Sequence, residues 1–377
     1  MLQEMKKRLS ALMAALVVLL SGCDSLPVEE NPEPTAEQQE IQTQADWYQE
    51  GLALLQNGSK AESAMAFGRA GDYSDARARS FALWDEIADR HTISATYSET
   101  IILSEDNTLL TTGNPQKITD DDMTQTAAIS GNLCLRKDGT VFYPWEYGGP
   151  EALSTWRDIV AVEQSTISSL IYGLKSDGTV VQLYDGEPLP PDPEMTDIIA
   201  ISEGYGLRAD GKLVHDGAHE EARRIDKWNE LTTFTALDKD GHMVAAVSED
   251  GTVYATGYMA ELLDPQHGYV DELGHVLGWS DVVDVAVSEY DFLVALHEDG
   301  TVSAFGNNEF GQCDVADWTD IVEIDVGTCH TIGRKSDGTL VATGANVERL
   351  DEDRPEIFRG QCEVSGIKAR GTTDFLP

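Results

Sequence analysis

One short turn is written seven times along this chain, and no other feature restricts its folding as much. The copies are SEDNTLLTTGN at Asp106, RKDGTVFYPW at Asp138, KSDGTVVQLYD at Asp177, RADGKLVHDG at Asp210, SEDGTVYATGY at Asp250, HEDGTVSAFGN at Asp299 and KSDGTLVATGA at Asp337. Their mean interval is about 38.5 residues. Six hold an Asp-Gly pair: Asp138 and Gly139, Asp177 and Gly178, Asp210 and Gly211, Asp250 and Gly251, Asp299 and Gly300, Asp337 and Gly338. Ahead of the last six turns lies a second recurring piece: MTQTAAIS at Met123, WRDIVAVE at Trp156, MTDIIAIS at Met195, WNELTTFT at Trp228, WSDVVDVA at Trp279 and WTDIVEID at Trp318. Alternating β-branched residues supply strands, and Asp-Gly tolerates the positive φ of a tight hairpin. Each unit therefore reads strand, strand, Asp-Gly hairpin, strand. A lone Asp-Gly is weak evidence, whereas six in phase with a seventh, Asp-Asn turn specify an architecture.

A sheet of three or four short strands can bury both faces only against neighbours, and a period near 40 residues points to blades around a ring. The expected fold class is mainly β: a seven-bladed β-propeller over 92–377 with a short N-terminal α-helical module. Such a ring has no open edge except at its seam. The C-terminal FRGQCEVSGIKARG repeats the start of NEFGQCDVADWTDIV and then stops. This half copy, near Cys362 to Ile367, is predicted to close the ring by pairing at the seam.

The run from Val283 to Asn346 resembles the regulator of chromosome condensation repeat. It shows Gly-x-x-His-Thr at Gly327, His330 and Thr331, an Asp-Gly turn, and a Gly-Asn-Gly-Gln element at Gly306, Asn308, Gly311 and Gln312, shifted by one residue. The match is strongest from Trp279 onward and weaker from His91 to Ile225, where the Gly-Gln element is missing. The resemblance implies a propeller. The eukaryotic namesake is a nucleotide exchange factor that docks on chromatin, a role that does not suit this chain's charge. Secreted bacterial propellers of the family, including inhibitors of β-lactamase, look like protein-binding discs, and that analogy favours a binding module over an enzyme.

The charge is extreme: 67 Asp and Glu against 26 Lys and Arg give −41. A sequence pI near 4.2 means a field that repels phosphate backbones, so no nucleic-acid partner is expected. An apolar fraction of 41% still suffices for a substantial core.

The first 22 residues read as an export signal. Lys6, Lys7 and Arg8 precede an apolar run, Leu9 to Leu20, broken only by Ser10. As a helix this run spans roughly 18 Å, short of the ~30 Å membrane core. Leu20-Ser21-Gly22-Cys23 resembles the bacterial lipobox, which implies a diacylated Cys23 as the mature N-terminus and an extracytoplasmic chain held at the bacterial cell membrane by acyl chains. Residues 23–44, rich in Pro, Glu and Gln, are expected to form an extended tether. Residues 45–91 carry apolar positions three and four apart, with breaks at Asn57-Gly58 and Gly71-Asp72, and predict three short helices resembling a degenerate tetratricopeptide hairpin that caps the propeller. Small Ala61 and Ala64 allow close helix packing there, and Phe67 fills the gap.

Catalytic motifs are absent: no Gly-x-Ser-x-Gly elbow, no His-Glu-x-x-His, no phosphate loop and no dinucleotide turn. No enzyme activity, cofactor or metal is expected. His215 and His219 flank a turn rather than a helical face. Asp238-Lys239-Asp240-Gly241 resembles part of a calcium loop but places Ala236 and Val247 at ligand positions. Asp120, Asp121 and Asp122 read as a solvated run. Cys313 and Cys362, equivalent in successive units, would lie too far apart for a bridge, so they and Cys134 and Cys329 are expected to be free. Trp156, Trp228, Trp279 and Trp318 share one slot with Met123 and Met195 and are packing residues. The candidate binding aromatics are those out of register: Trp145, Tyr147, Tyr258 and Tyr269. The expected partner is an envelope or extracellular protein met through loops. The alternatives are a glycan or cell-wall ligand stacked on those aromatics, or a hydrolase or lyase with an acidic site.

Overall fold

The computed structural model describes residues 36–88, 90–96, 99–112, 118, 123–146, 148–165, 168–215, 222–257, 269–345 and 362–371. The chain divides into two compact units, Met1–Gln42 and Thr43–Pro377. The lipobox with Cys23, and the residues Tyr147, Tyr258, His219 and Asp120 to Asp122, lie outside the described residues.

Helix α1, Ala36–Gln56, begins well before residue 44, so the extended tether expected up to that point stops short. Pro34 is the last proline of the segment, and AEQQEIQTQ after it contains only residues compatible with a helix. Helices α2, Lys60–Ala70, and α3, Ala76–Ile87, complete the predicted three. Ser63 donates its hydroxyl to the Gly51 carbonyl (2.8 Å) and Ser80 to that of Ala64 (2.7 Å), pinning the helices at their small residues. A Cβ at Gly51 would stand 2.8 Å from the Phe67 ring, so the α1–α2 approach depends on this glycine.

Among the described residues there are seven antiparallel sheets, six of three strands and one of four. The first sheet is Ile93–Ala95, Thr100–Leu103 and Leu109–Thr112, and the second is Thr126–Ser130, Leu133–Arg136 and Val141–Phe142. The third is Ile159–Gln164, Leu170–Lys175, Val180–Tyr184 and Glu187–Pro188, and the fourth is Ile198–Ser202, Tyr205–Arg208 and Leu213–His215. The fifth is Phe234–Asp240, Met243–Ser248 and Val253–Gly257, and the sixth is Val282–Ser288, Phe292–His297 and Val302–Gly306. The seventh is Ile321–Val326, His330–Lys335 and Leu340–Gly344.

The seven repeated turns join the second strand of each sheet to its third. The six turn glycines take φ between 77° and 84°, and Asn107 takes 60° in the first sheet. Glycine carries the left-handed residue and Asp does something else: its carboxylate accepts the backbone N–H two residues on, from Thr108, Thr140, Thr179, Lys212, Thr252, Thr301 and Thr339. Five of those threonines add their hydroxyls. The sequence motif is therefore a self-capped turn.

Each sheet shares an apolar core with the next. Met123 and Ile129 of the second repeat pack with Ile101 and Leu103 of the first, and Val285 and Leu293 of the sixth pack with Ala245 and Val247 of the fifth. The order is cyclic, because Ile332 and Leu340 of the seventh sheet share a core with Ile93 and Ile102 of the first. Val364 and Ala369 complete that core. Between the two sheets, Ala369 bridges Ser104 and Lys368 bridges Thr339, while Arg370 donates its N–H to Leu103 (2.8 Å) and its guanidinium to the Thr126 carbonyl. The half copy thus sits at the seam, as the sequence predicts. The fold is mainly β and propeller-like, with a helical module at its N-terminal side.

The Trp slot is a packing position: Trp156, Trp228 and Trp318 are buried. Trp228 reaches it from an unexpected helix, α4, Ala222–Leu231, where the sequence reading anticipates a strand-type unit. The stretch ARRIDKWNEL has one β-branched residue, so the helical state is locally preferred. The Trp228 ring still fills its slot and donates its N–H to the Leu273 carbonyl (2.8 Å).

Candidate functional site

The first strand of every sheet borders one central cavity of about 90 Å³. These are edge strands, so their outward N–H groups have no strand partner. Carboxylates of neighbouring sheets accept from them instead. Asp238 takes the N–H of Val287 (2.8 Å), Asp240 that of Glu289 (3.0 Å) and Asp325 that of Ala95 (2.7 Å). Glu323 takes those of Thr92 (2.6 Å) and Ile93 (3.0 Å) and pairs with buried Arg334 (2.6 Å). Ser130 donates to Glu163 and Ser202 to Asp238, each from the sheet before. The cavity is laced sheet to sheet by acids.

Enclosure changes their chemistry. Burial pushes Asp238 up to about 7 and Asp325 up to about 6. Glu163 is raised well above the ordinary carboxylate range by burial first and then by the charges of Asp238 and Glu203. Lys239, paired with Glu203 at 2.9 Å, is the cation among them. Such a site stores protons near neutral pH and repels anions. Among the described residues no three His, Cys, Asp or Glu side chains converge as a metal site. The motif Asp238-Lys239-Asp240-Gly241, noticed as a failed calcium loop, is in fact the acidic end of a first strand. The signal that would have found it is repeat alignment: Ser130, Glu163, Ser202, Asp238 and Asp325 occupy the same position of their first strands.

The out-of-register aromatics separate. Trp145 is no binding platform: it is 2% exposed, bridges Ile118, donates its N–H to Asn132 (3.1 Å) and fills the core between the first two sheets. Tyr269 remains 47% exposed and stacks flat on Phe305, centroids 5.7 Å apart. Exposed Leu277 donates its N–H to the Tyr269 carbonyl (2.8 Å), and Trp279 tilts against Phe305 at 5.3 Å. Tyr269, Leu277 and Phe305 form an apolar patch on a molecule whose charge is otherwise strongly negative. His215 lies beside the Tyr205 ring. No disulfide joins the four described cysteines, and burial pushes Cys313 up to about 11 and Cys362 up to about 12, which makes them poor nucleophiles. No helix among the described residues is long and apolar enough to cross a membrane.

Among solved structures the chain is similar to the ectodomain of the Physcomitrella patens receptor kinase CR4, at 13% identity over 68% of this chain and 74% of that one, with a TM-score of 0.49. It is also similar to the computationally designed Ika8 protein, at 17% identity over 73% and 89% with a TM-score of 0.41. For Prp20p of Saccharomyces cerevisiae the figures are 15% identity, 70% and 60%, and a TM-score of 0.28. Curated proteins give no match. Residues 282–312, the sixth sheet and the loop that leaves it, match the model of the regulator of chromosome condensation (RCC1) repeat, and the chain thus carries a repeat of that type.

Proposed function

We propose that this chain is a lipid-anchored, extracytoplasmic protein-binding module of a bacterial envelope. Its seven sheets act as the blades of a closed seven-bladed propeller, and its activity is contact without turnover. Cys23 carries the acyl chains, which explains the basic and apolar start of the sequence. The observation that carries the binding reading is the Tyr269–Phe305 stack with Leu277 beside it. A half-exposed tyrosine and an exposed Leu side chain are costly to leave in water and well suited to anchor a partner. The acidic surroundings select a partner with a basic rim. The glycan alternative loses Trp145, which is buried.

The test is capture of envelope proteins by the detergent-solubilised full chain, compared with a variant carrying Tyr269→Ala and Leu277→Asp. A captured protein that the variant releases supports the reading. Equal capture by both, or none, refutes it. For the anchor, Cys23→Ser should move the protein from the membrane fraction to the soluble one.

A further inference from the structure

The helical module rests on a seat that the repeat builds more than once. In the third and fourth sheets the first strand is preceded by a left-handed aspartate, Asp158 at φ 61° and Asp197 at φ 60°. The next residue, Ile159 or Ile198, enters the core, and the one after is bulged out of register. That bulged residue is Val160 or Ile199. The helices cover both: Val160 is fully buried and Ile199 is packed in one cluster with Met65, Phe67 and Trp84. Arg77 reaches Asp158 at 2.8 Å and Arg69 reaches Asp197 at 2.5 Å. Each aspartate takes one arginine from one helix or its start, and the apolar bulges lie between.

The sixth and seventh sheets repeat this construction, and among the described residues no helix covers it. Asp281 at φ 57° and Asp320 at φ 62° precede buried Val282 and Ile321, and the bulged residues are Val283 and Val322. Both valines are 46% exposed. The carboxylates of Asp281 and Asp320 accept from the hydroxyls of their own neighbours, Ser280 and Thr319, and have no basic partner among the described residues. The two seats occupy adjacent sheets of the same cyclic array, so their features have matching order and spacing.

We propose that the ends of the sixth and seventh sheets form a second helical seat, taken by a helical hairpin of a partner protein. That hairpin presents one Arg or Lys on each helix, flanking a strip of small and apolar residues. The chemistry follows from the occupied seat: the carboxylates select two cations, and the bulged valines require an apolar strip. Close approach requires small residues, as at Gly68, where a Cβ would stand 2.2 Å from the Ser176 carbonyl. The acidic chain as a whole attracts such a partner. A second copy of this chain is a poorer occupant, because its own module is already seated. The inference rests on the protein-binding reading but uses a surface separate from the Tyr269 patch.

The test places a photo-crosslinking amino acid at Val283, at Val322 or at Leu277 of the full-length chain in the cells that make it. Crosslinks from 283 and 322 to a helical hairpin of another protein, with Lys or Arg on both helices, support the proposal. Adding Asp281→Lys with Asp320→Lys should cut that yield about tenfold while leaving the thermal transition and any Leu277 crosslink in place. Overturning results are crosslinks to a second copy of this chain, crosslinks to a non-helical segment, no crosslink at either valine, or a yield indifferent to the charge reversal. A crosslink at 277 with none at 283 and 322 sinks this seat alone, and the converse sinks only the patch.

Discussion

Aspartates of the turns and aspartates of the central cavity are the same residue in opposite conditions. At the turns, Thr301 and Thr339 donate hydroxyl and backbone hydrogen bonds to Asp299 and Asp337, which holds both below the usual carboxylate range. In the cavity, burial drives Asp238 and Asp325 the other way. Turn acids stabilise a hairpin locally, whereas cavity acids tie one sheet to the next and are strained by their confinement. Hydrogen bonding decides the first case and desolvation the second.

The seam carries both kinds of tie, so it is where the contrast breaks most visibly. Truncation after Arg359 removes the strip at Lys368 to Arg370, and Val364 and Ala369 from the seam core. Its expected effect is the largest, loss of the cooperative melting transition in calorimetry. An unchanged transition would show that the strip is dispensable. Next comes Glu323→Ala, which strands buried Arg334 and leaves the N–H groups of Thr92 and Ile93 unpaired. Urea unfolding should show a loss of about 3–5 kcal/mol.

The third prediction concerns pH. Carboxyls raised in the folded state add stability that is complete below their unfolded values and is lost as pH rises through about 6 and 7. The melting temperature should therefore fall between pH 5 and pH 8, and Asp238→Asn should flatten that fall. At pH 8 the variant should gain roughly 2–3 kcal/mol, less than full burial implies because the cavity admits water. A slope unaffected by the substitution would remove Asp238 from the account. The smallest effect belongs to the turns. Asp177→Ala should cost about 1 kcal/mol at neutral pH. Because the Asp177 carboxyl is lowered, its contribution is present above the unfolded value and lost as pH falls through the folded one, the reverse of the cavity.

The turns were legible because each is a local motif whose residues touch one another, so a linear string contains the whole interaction. The cavity was not, because its bonds join residues far apart in sequence, such as Glu323 with Thr92. Asp238-Lys239-Asp240 drew notice only as a local loop, where it fails. Trp145 misled for a related reason: being out of register suggested a free loop, yet the space between the first two sheets takes it in. Tyr269 kept its exposure, and sequence could not distinguish the two. The helical seat was written in plain view as DIV, DII, DVV and DIV, but only the helices over Val160 and Ile199 show what those letters do.

The strip that fastens the seventh sheet to the first comes from residues 362–371, the last described stretch of the chain. During synthesis those residues emerge after all seven sheets. Until then Ile93 and Ile102 wait for a neighbour made more than two hundred residues later, and the growing chain bears two bare flanks. Fastening of the seventh sheet to the first thus follows the making of every sheet: a polypeptide interrupted before this strip keeps both flanks bare and sticky, which gives proteolytic surveillance a simple way to tell fastened molecules from unfastened ones.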